Sequence, residues 1–202
     1  DGCSSFEIVG SYRRGAKQSG DIDFIITNQN NNYKIFDDFL NILKKENYIV
    51  EFLSRGSVKS LTIAKLPGKI ARRLDFLYSP PKEFSYAILY FTGSKYFNTA
   101  MRQRAIDLGF SLNEHRLINK ETKEVVCLDM KTEKHIFHFL GMKFKEPNER
   151  INANSVELLD STETQEIFKI KKRNTIKKKQ SNVCFDKLMH FQNSGISYLN
   201  TL

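Results

Sequence analysis

The chain has 202 residues, 40% of them apolar and 12% aromatic, which is enough to bury one good core, or a core and a small satellite, and excludes disorder as the default state. Lys and Arg number 32 against 23 Asp and Glu, a net charge of +9, so an acidic partner is expected: nucleic acid, an anionic membrane or an acidic protein. Cys3, Cys127 and Cys184 form no close pair, which excludes a disulfide framework or zinc ribbon. The longest apolar runs fall far below the ~20 residues of a spanning helix, and a soluble, intracellular protein with no membrane partner is expected.

Taken in chain order, period-two alternation predicts a short strand at 6–9 and a second at 21–27, with Ile22, Phe24 and Ile26 on one face and Asp21 and Asp23 on the other. One or two helical turns are expected between them, at 11–18. After the polar loop NQNNN, residues Ile35, Phe36, Phe39, Leu40 and Leu43 recur on one helical face that should cover the sheet. Strands are expected at 48–53 and 58–66, then a turn at LPGK and a strand in ARRLDFLYS that carries Asp75. Past Pro80 and Pro81 the pattern is helical over 83–91 and 94–108, broken at Thr92 and Gly93. HRLINKETKEVVCL alternates like a hairpin, and Thr132 can cap a helix running through Leu140.

The predicted class is α+β, with a mixed twisted sheet and flanking helices over 1–82 and a small α+β lobe over 83–151. From about residue 152 the composition turns polar, and KIKKRNTIKKK packs seven cations into eleven residues without an acid. Residues 152–184 therefore read as a basic, disordered linker, and 185–202 as the start of a further module or a tail.

Asp21 and Asp23 sit at i and i+2 of a strand and point the same way, so both stay ionised cheaply only with a cation between them. Without a metal they would simply end the strand in water. Their context favours a metal. Gly10 and Ser11 close a tight turn beside the start of a helical segment, and Arg13 and Arg14 follow, a setting that suits a triphosphate. Phosphoryl transfer with two metals calls for a third acid, and Asp75, behind Arg72 and Arg73, is the best placed. A plain ion pair with either arginine is the competing reading.

The spacing Gly10-Ser11, nine residues, Asp21-Ile22-Asp23 resembles the signature of the nucleotidyltransferase superfamily. GSYRRGAKQSGDID, RRLDF, LYFTGSKYFNTAMRQRA, GFSLNE and EKHIFHFLGMKFKEPNER follow in that order, and together they resemble the palm and nucleotide-selection lobe of a family X DNA polymerase of the beta type.

The resemblance implies that Asp21 and Asp23 bridge two Mg2+ ions, with Mn2+ as an alternative, and that Asp75 binds the catalytic one and helps deprotonate a primer 3′-hydroxyl. It implies further that Ser11, Arg14, Ser19 and Gly20 hold the β and γ phosphates, and that Arg73 orients the acids. Tyr90 and Phe91 would lie under the incoming sugar, with Gly93 as the hinge break of the nucleotide site, Asn98 at the base edge and Arg102 at the template strand. The Tyr90-Phe91 pair favours templated over terminal addition, since terminal transferases of this family resemble Gly-Trp there. Lys95, Thr99 and His115 depart from the family pattern, which puts base selectivity in question.

The implied function is gap-filling repair synthesis, with gapped or primed duplex DNA and deoxynucleoside triphosphates as partners, in the nucleus, or in the cytoplasm or a viral factory for a viral or microbial source. The chain starts almost on the first palm strand, so a fragment of a larger protein, fused to further repair domains, is expected. A template-independent nucleotidyltransferase and a silent DNA-binding module of a repair protein are the alternatives.

Overall fold

A computed structural model describes residues 2–160. Five strands form one sheet: β1 (Ser4–Ile8), β2 (Asp21–Asn28), β3 (Ile49–Arg55), β4 (Lys59–Ala64) and β5 (Arg72–Tyr78), in the order β1-β2-β5-β4-β3. Only β2 and β5 are parallel; every other pair is antiparallel. A four-residue helix, α1 (Gly10–Arg13), joins β1 to β2.

Helix α2 (Lys34–Lys45) lays Ile35, Phe36, Phe39, Leu40 and Leu43 on one face of the sheet, against Phe24, Ile26, Ile49, Phe76 and Tyr78. The opposite face receives α3 (Phe84–Thr92), whose Ala87 and Ile88 pack with Val9 and Ile25. The other flank of α3 supplies Tyr86 and Leu89 to the core of a second lobe. This explains why its sequence, FSYAILYFT, is apolar almost all round: a helix wedged between two cores has no solvent face to keep polar.

The second lobe contains α4 (Lys95–Asp107), the short pair β6 (Phe110–Leu112) and β7 (Leu117–Asn119), and α5 (Glu133–Phe139). Phe97, Met101 and Ala105 of α4 meet Ile136, Phe137 and Leu140 in its centre. Thr132 precedes α5 as expected, and the imidazole Nδ1 of His135 accepts its backbone N–H at 3.3 Å. The hairpin expected in 115–128 is displaced. Strand β7 takes GFSL as its main partner, and only an isolated bridge, Ile118 to Val125, joins the two halves of the expected hairpin.

The first residues of the segment expected as linker, 152–159, lie within the described part of the chain. Residues 152–159 stay on the lobe: a short 3-10 turn at Ala153–Ser155 packs against α4, Val156 joins the core, and Leu158 bridges to Met142. The basic run at 169–179 and the segment 185–202 lie outside the described residues.

Candidate active site

In the parallel pair β2–β5, Asp23 stands directly opposite Asp75, and Asp21 opposite Arg73. Alternation along the strands sends Phe24 and Ile26 under α2 and leaves the three acids on the other face. Their carboxylate oxygens converge within 4.8 Å of one another, and among the described residues no other cluster of three metal-ligating side chains occurs. Burial, followed by the charges of Asp21 and Asp75, pushes the Asp23 carboxyl up, while Arg73 and Lys59 pull the other way. Three partly buried, mutually repelling oxygen donors fit a hard divalent cation such as Mg2+ or Mn2+.

Gly10 makes this convergence sterically feasible. It adopts φ +67°, and a Cβ there would run into the carboxylate of Asp23. The backbone N–H of Val9 donates to the Asp23 carbonyl at 2.9 Å and fixes the turn beside the acid. On the same side, the Ser19 hydroxyl donates to the Asp21 carbonyl at 2.5 Å, which leaves its oxygen to accept from Ser11 at 2.8 Å. Ser11 and Ser19 thus stand together at the entrance of β2, and Gly20 beside them borders open space.

Arg14 donates from Nη1 to the Thr92 carbonyl at 2.5 Å, and a Cβ on Gly93 would come 3.2 Å from that nitrogen. The break between α3 and α4 is therefore shaped to admit the guanidinium. Arg73 forks onto Asp75, Nε to Oδ1 at 2.9 Å and Nη2 to Oδ2 at 2.7 Å. It bonds Asp75 alone, and reaches Asp21 and Asp23 only as a charge.

The remaining expected contacts divide between two hollows. Phe91 lines a groove with Asp23, Asp75, Lys59 and Val9, whereas Tyr90, Asn98 and Arg102 line another with Met101 and Asn113. The Tyr90 and Phe91 rings meet edge to face, centroids 5.2 Å apart, and Asn98 Nδ2 donates to the Tyr90 carbonyl at 2.6 Å. Lys59, which shares the acid groove, was not singled out by the sequence; it lies on a strand, β4, two positions before the residue facing Asp75.

A buried cluster beside the site also escaped sequence reasoning. Glu133, at the start of α5, accepts two bonds from Arg13 of α1, at 3.1 and 2.8 Å, and one from Arg150 Nη1 at 2.6 Å. Arg13 also reaches the Thr92 hydroxyl at 2.6 Å. Arg150 is fully enclosed and stacks over Phe137 and Phe144. Burial alone would raise the Glu133 carboxyl, but the bonds from Arg13 and Arg150 outweigh it and hold it below the usual range.

A mixed sheet that presents three carboxylates beside a Gly-Ser turn defines a nucleotidyltransferase-type palm. The family model of the DNA polymerase beta palm matches residues 2–81, and that of the DNA polymerase beta thumb residues 87–151. The chain is 37% identical over 158 residues to DNA polymerase lambda of Rattus norvegicus, covering 70% of this chain and 28% of that protein. It is 30% identical over 162 residues to DNA polymerase lambda of Arabidopsis thaliana, covering 70% and 31%. Against the DNA polymerase type-X family protein pol4 of Schizosaccharomyces pombe it is 26% identical over 163 residues, covering 71% and 32%. The chain belongs to the family X DNA polymerases. It spans less than a third of the length of these relatives.

Proposed function

We propose that this chain is the catalytic core of a DNA-directed DNA polymerase that adds deoxynucleotides to a primer 3′-hydroxyl in gap-filling repair. The observation that carries this is the convergence of Asp21, Asp23 and Asp75 within 4.8 Å, beside the turn at Gly10 whose Ser11 bonds Ser19. Asp21 and Asp23 would hold two Mg2+ ions, and Asp75 only the one on the primer side. When bound, such ions lower the pKa of the attacking hydroxyl and offset charge on the triphosphate.

The chain's own residues do the rest. Ser11 and Ser19, on giving up the bonds they make here, and the exposed backbone at Gly20 would donate to phosphate oxygens, and Arg14 adds a charged donor anchored at Thr92. Arg73 fixes the orientation of the Asp75 carboxylate through its two bonds, and Asp75 would take the hydroxyl proton. Backbone around Tyr90 and Phe91 crowds the sugar, Asn98 reads the base edge, and Arg102, exposed on α4, meets the template strand.

A nuclear site of action is supported by relatives named as DNA polymerase lambda in an animal and a plant. Among the described residues no helix is long and apolar enough to cross a membrane.

Primer extension on gapped duplexes, with each of the four template bases in turn, tests the reading. Incorporation that follows the template is expected. Addition indifferent to the template would replace it with a terminal-transferase role, and absence of any Mg2+-dependent triphosphate binding would replace it with a DNA-binding module.

A further inference from the structure

The match to the thumb family ends at residue 151, yet the residues that follow, through Leu159, stay on the second lobe. These added residues run along α4, the helix that carries Asn98 and Arg102, and follow directly on the two residues that hold its amino end. At the amino end, Ser94 caps α4 by accepting the Phe97 N–H at 3.3 Å, while its own hydroxyl donates to the Ile151 carbonyl at 2.8 Å and its N–H to Arg150 at 3.3 Å. Along its length, the 3-10 turn Ala153–Ser155 lies against α4, and Val156 packs into the core formed by Phe97, Met101 and Ala105.

Towards the carboxyl end of α4, Arg104 Nε donates to the Leu140 carbonyl at 3.0 Å. That neighbourhood is in turn tied to the added segment. Leu159 N–H donates to Gly141 at 3.0 Å, Lys143 N–H to Glu157 at 2.9 Å, and the Glu157 carboxylate receives Lys143 and Lys145, each at 2.7 Å.

We infer that residues 152–159 are a positioning brace for α4, holding Asn98 and Arg102 in register with the nascent base pair, and that Glu157 is its clasp. A helix whose recognition side chains must meet a base pair to within a fraction of an ångström gains selectivity from every contact that limits its rocking. The aspartates stand on a different element, the sheet, so the brace acts on base choice and not on the chemical step. The part of this inference that concerns base choice rests on the polymerase reading above; the part that concerns the helix does not.

The test uses the full chain with Glu157→Lys, which turns two attractions into two repulsions, and the reversal that adds Lys143→Glu and Lys145→Glu. Amide hydrogen exchange along α4 should quicken about threefold in Glu157→Lys, with α2 unchanged. The preference for the templated over the mismatched nucleotide should fall by a similar factor at unchanged maximal rate, and the reversal should restore both. Unchanged α4 exchange would overturn the brace. Faster exchange with unaltered base preference would reduce it to a structural appendage and overturn its positioning role. If the parent chain adds no nucleotide at all, the polymerase reading fails by itself, and α4 exchange still decides whether the brace exists.

Discussion

Arg13, in the first turn after β1, forks onto Glu133 across 120 positions of sequence, at 3.1 and 2.8 Å. The bond joins the helix beside the three clustered acids to the second lobe, and Arg150 closes the far side of the same carboxylate. Removing one member of a buried charge cluster leaves the others unpaired in a medium that solvates them poorly. Glu133→Ala should therefore destabilise the fold by about 3 kcal/mol, measured by urea unfolding. Because the folded carboxyl is held below its ordinary value of 4.5, its contribution is present above that value and is lost as pH falls through the lower, folded one. An unfolding free energy for the parent that does not decline more steeply than that of the Ala variant below pH ~4.5 would contradict this assignment.

Gly10→Ala strikes the acid triad from the backbone. The new methyl meets the Asp23 carboxylate at a residue already in left-handed conformation, so a cost of about 1 kcal/mol or more is expected, together with displacement of a metal ligand. Single-turnover addition should fall by at least roughly tenfold. A variant that keeps full rate would show that Asp23 does not need its present position.

Repulsion among Asp21, Asp23 and Asp75 loads the fold when no cation is bound. Asp23→Asn removes one of the three charges and should raise the Tm in divalent-free buffer. Mg2+ should raise the Tm of the parent, because ligand binding to the native state alone stabilises it, and leave the variant nearly unmoved. Calorimetry with and without chelator reads both effects, and an equal response in the two proteins would remove Asp23 from the ligand set.

Asp75→Ala separates binding from chemistry. Triphosphate and Mg2+ should still bind through Asp21 and Asp23, while nucleotide addition drops by several orders of magnitude, since metal positioning dominates this class of catalysis. Joint loss of both would place Asp75 with the nucleotide instead of the primer.

Sugar choice is expected to sit at Tyr90 and Phe91. Asn98 pins the Tyr90 carbonyl at 2.6 Å, so the backbone there has little room to retreat from a 2′-hydroxyl. Asn98→Ala should relax discrimination against ribonucleotides as well as weaken base reading, which competition between matched ribo- and deoxynucleotides would measure. Unchanged sugar selectivity would locate the barrier in the side chains.

Features written into local pattern were legible in the sequence. Helix α2 carries its core face in five apolar residues at helical spacing, and Asp21 and Asp23 announce a shared face by alternation alone. What was missed depends on pairing between distant segments. Nothing within β4 marks Lys59 as a neighbour of the acids, and nothing in YRRG or EKHIF indicates that Arg13 and Glu133 meet. Strand β6 has only three residues, too few for a period to show, which is why the hairpin was sought after His115 instead of before it. The segment 152–159 resembles linker in composition because backbone bonds hold much of it, and these leave no compositional trace; Val156 packs against the core, while Leu158 is exposed and bridges Met142 through its backbone.

Strand β5 is the last of the five to leave the ribosome, yet it takes the middle place in the sheet, between β2 and β4. Until it is inserted, a growing chain carries Asp21 and Asp23 without their third acid and β2 with one edge unpaired. Pairing between segments so far apart is slow, since loop closure must come before its reward. The three-carboxylate cluster is therefore absent from every partly folded form that lacks this strand, and the full set of acids comes together only when the sheet is complete.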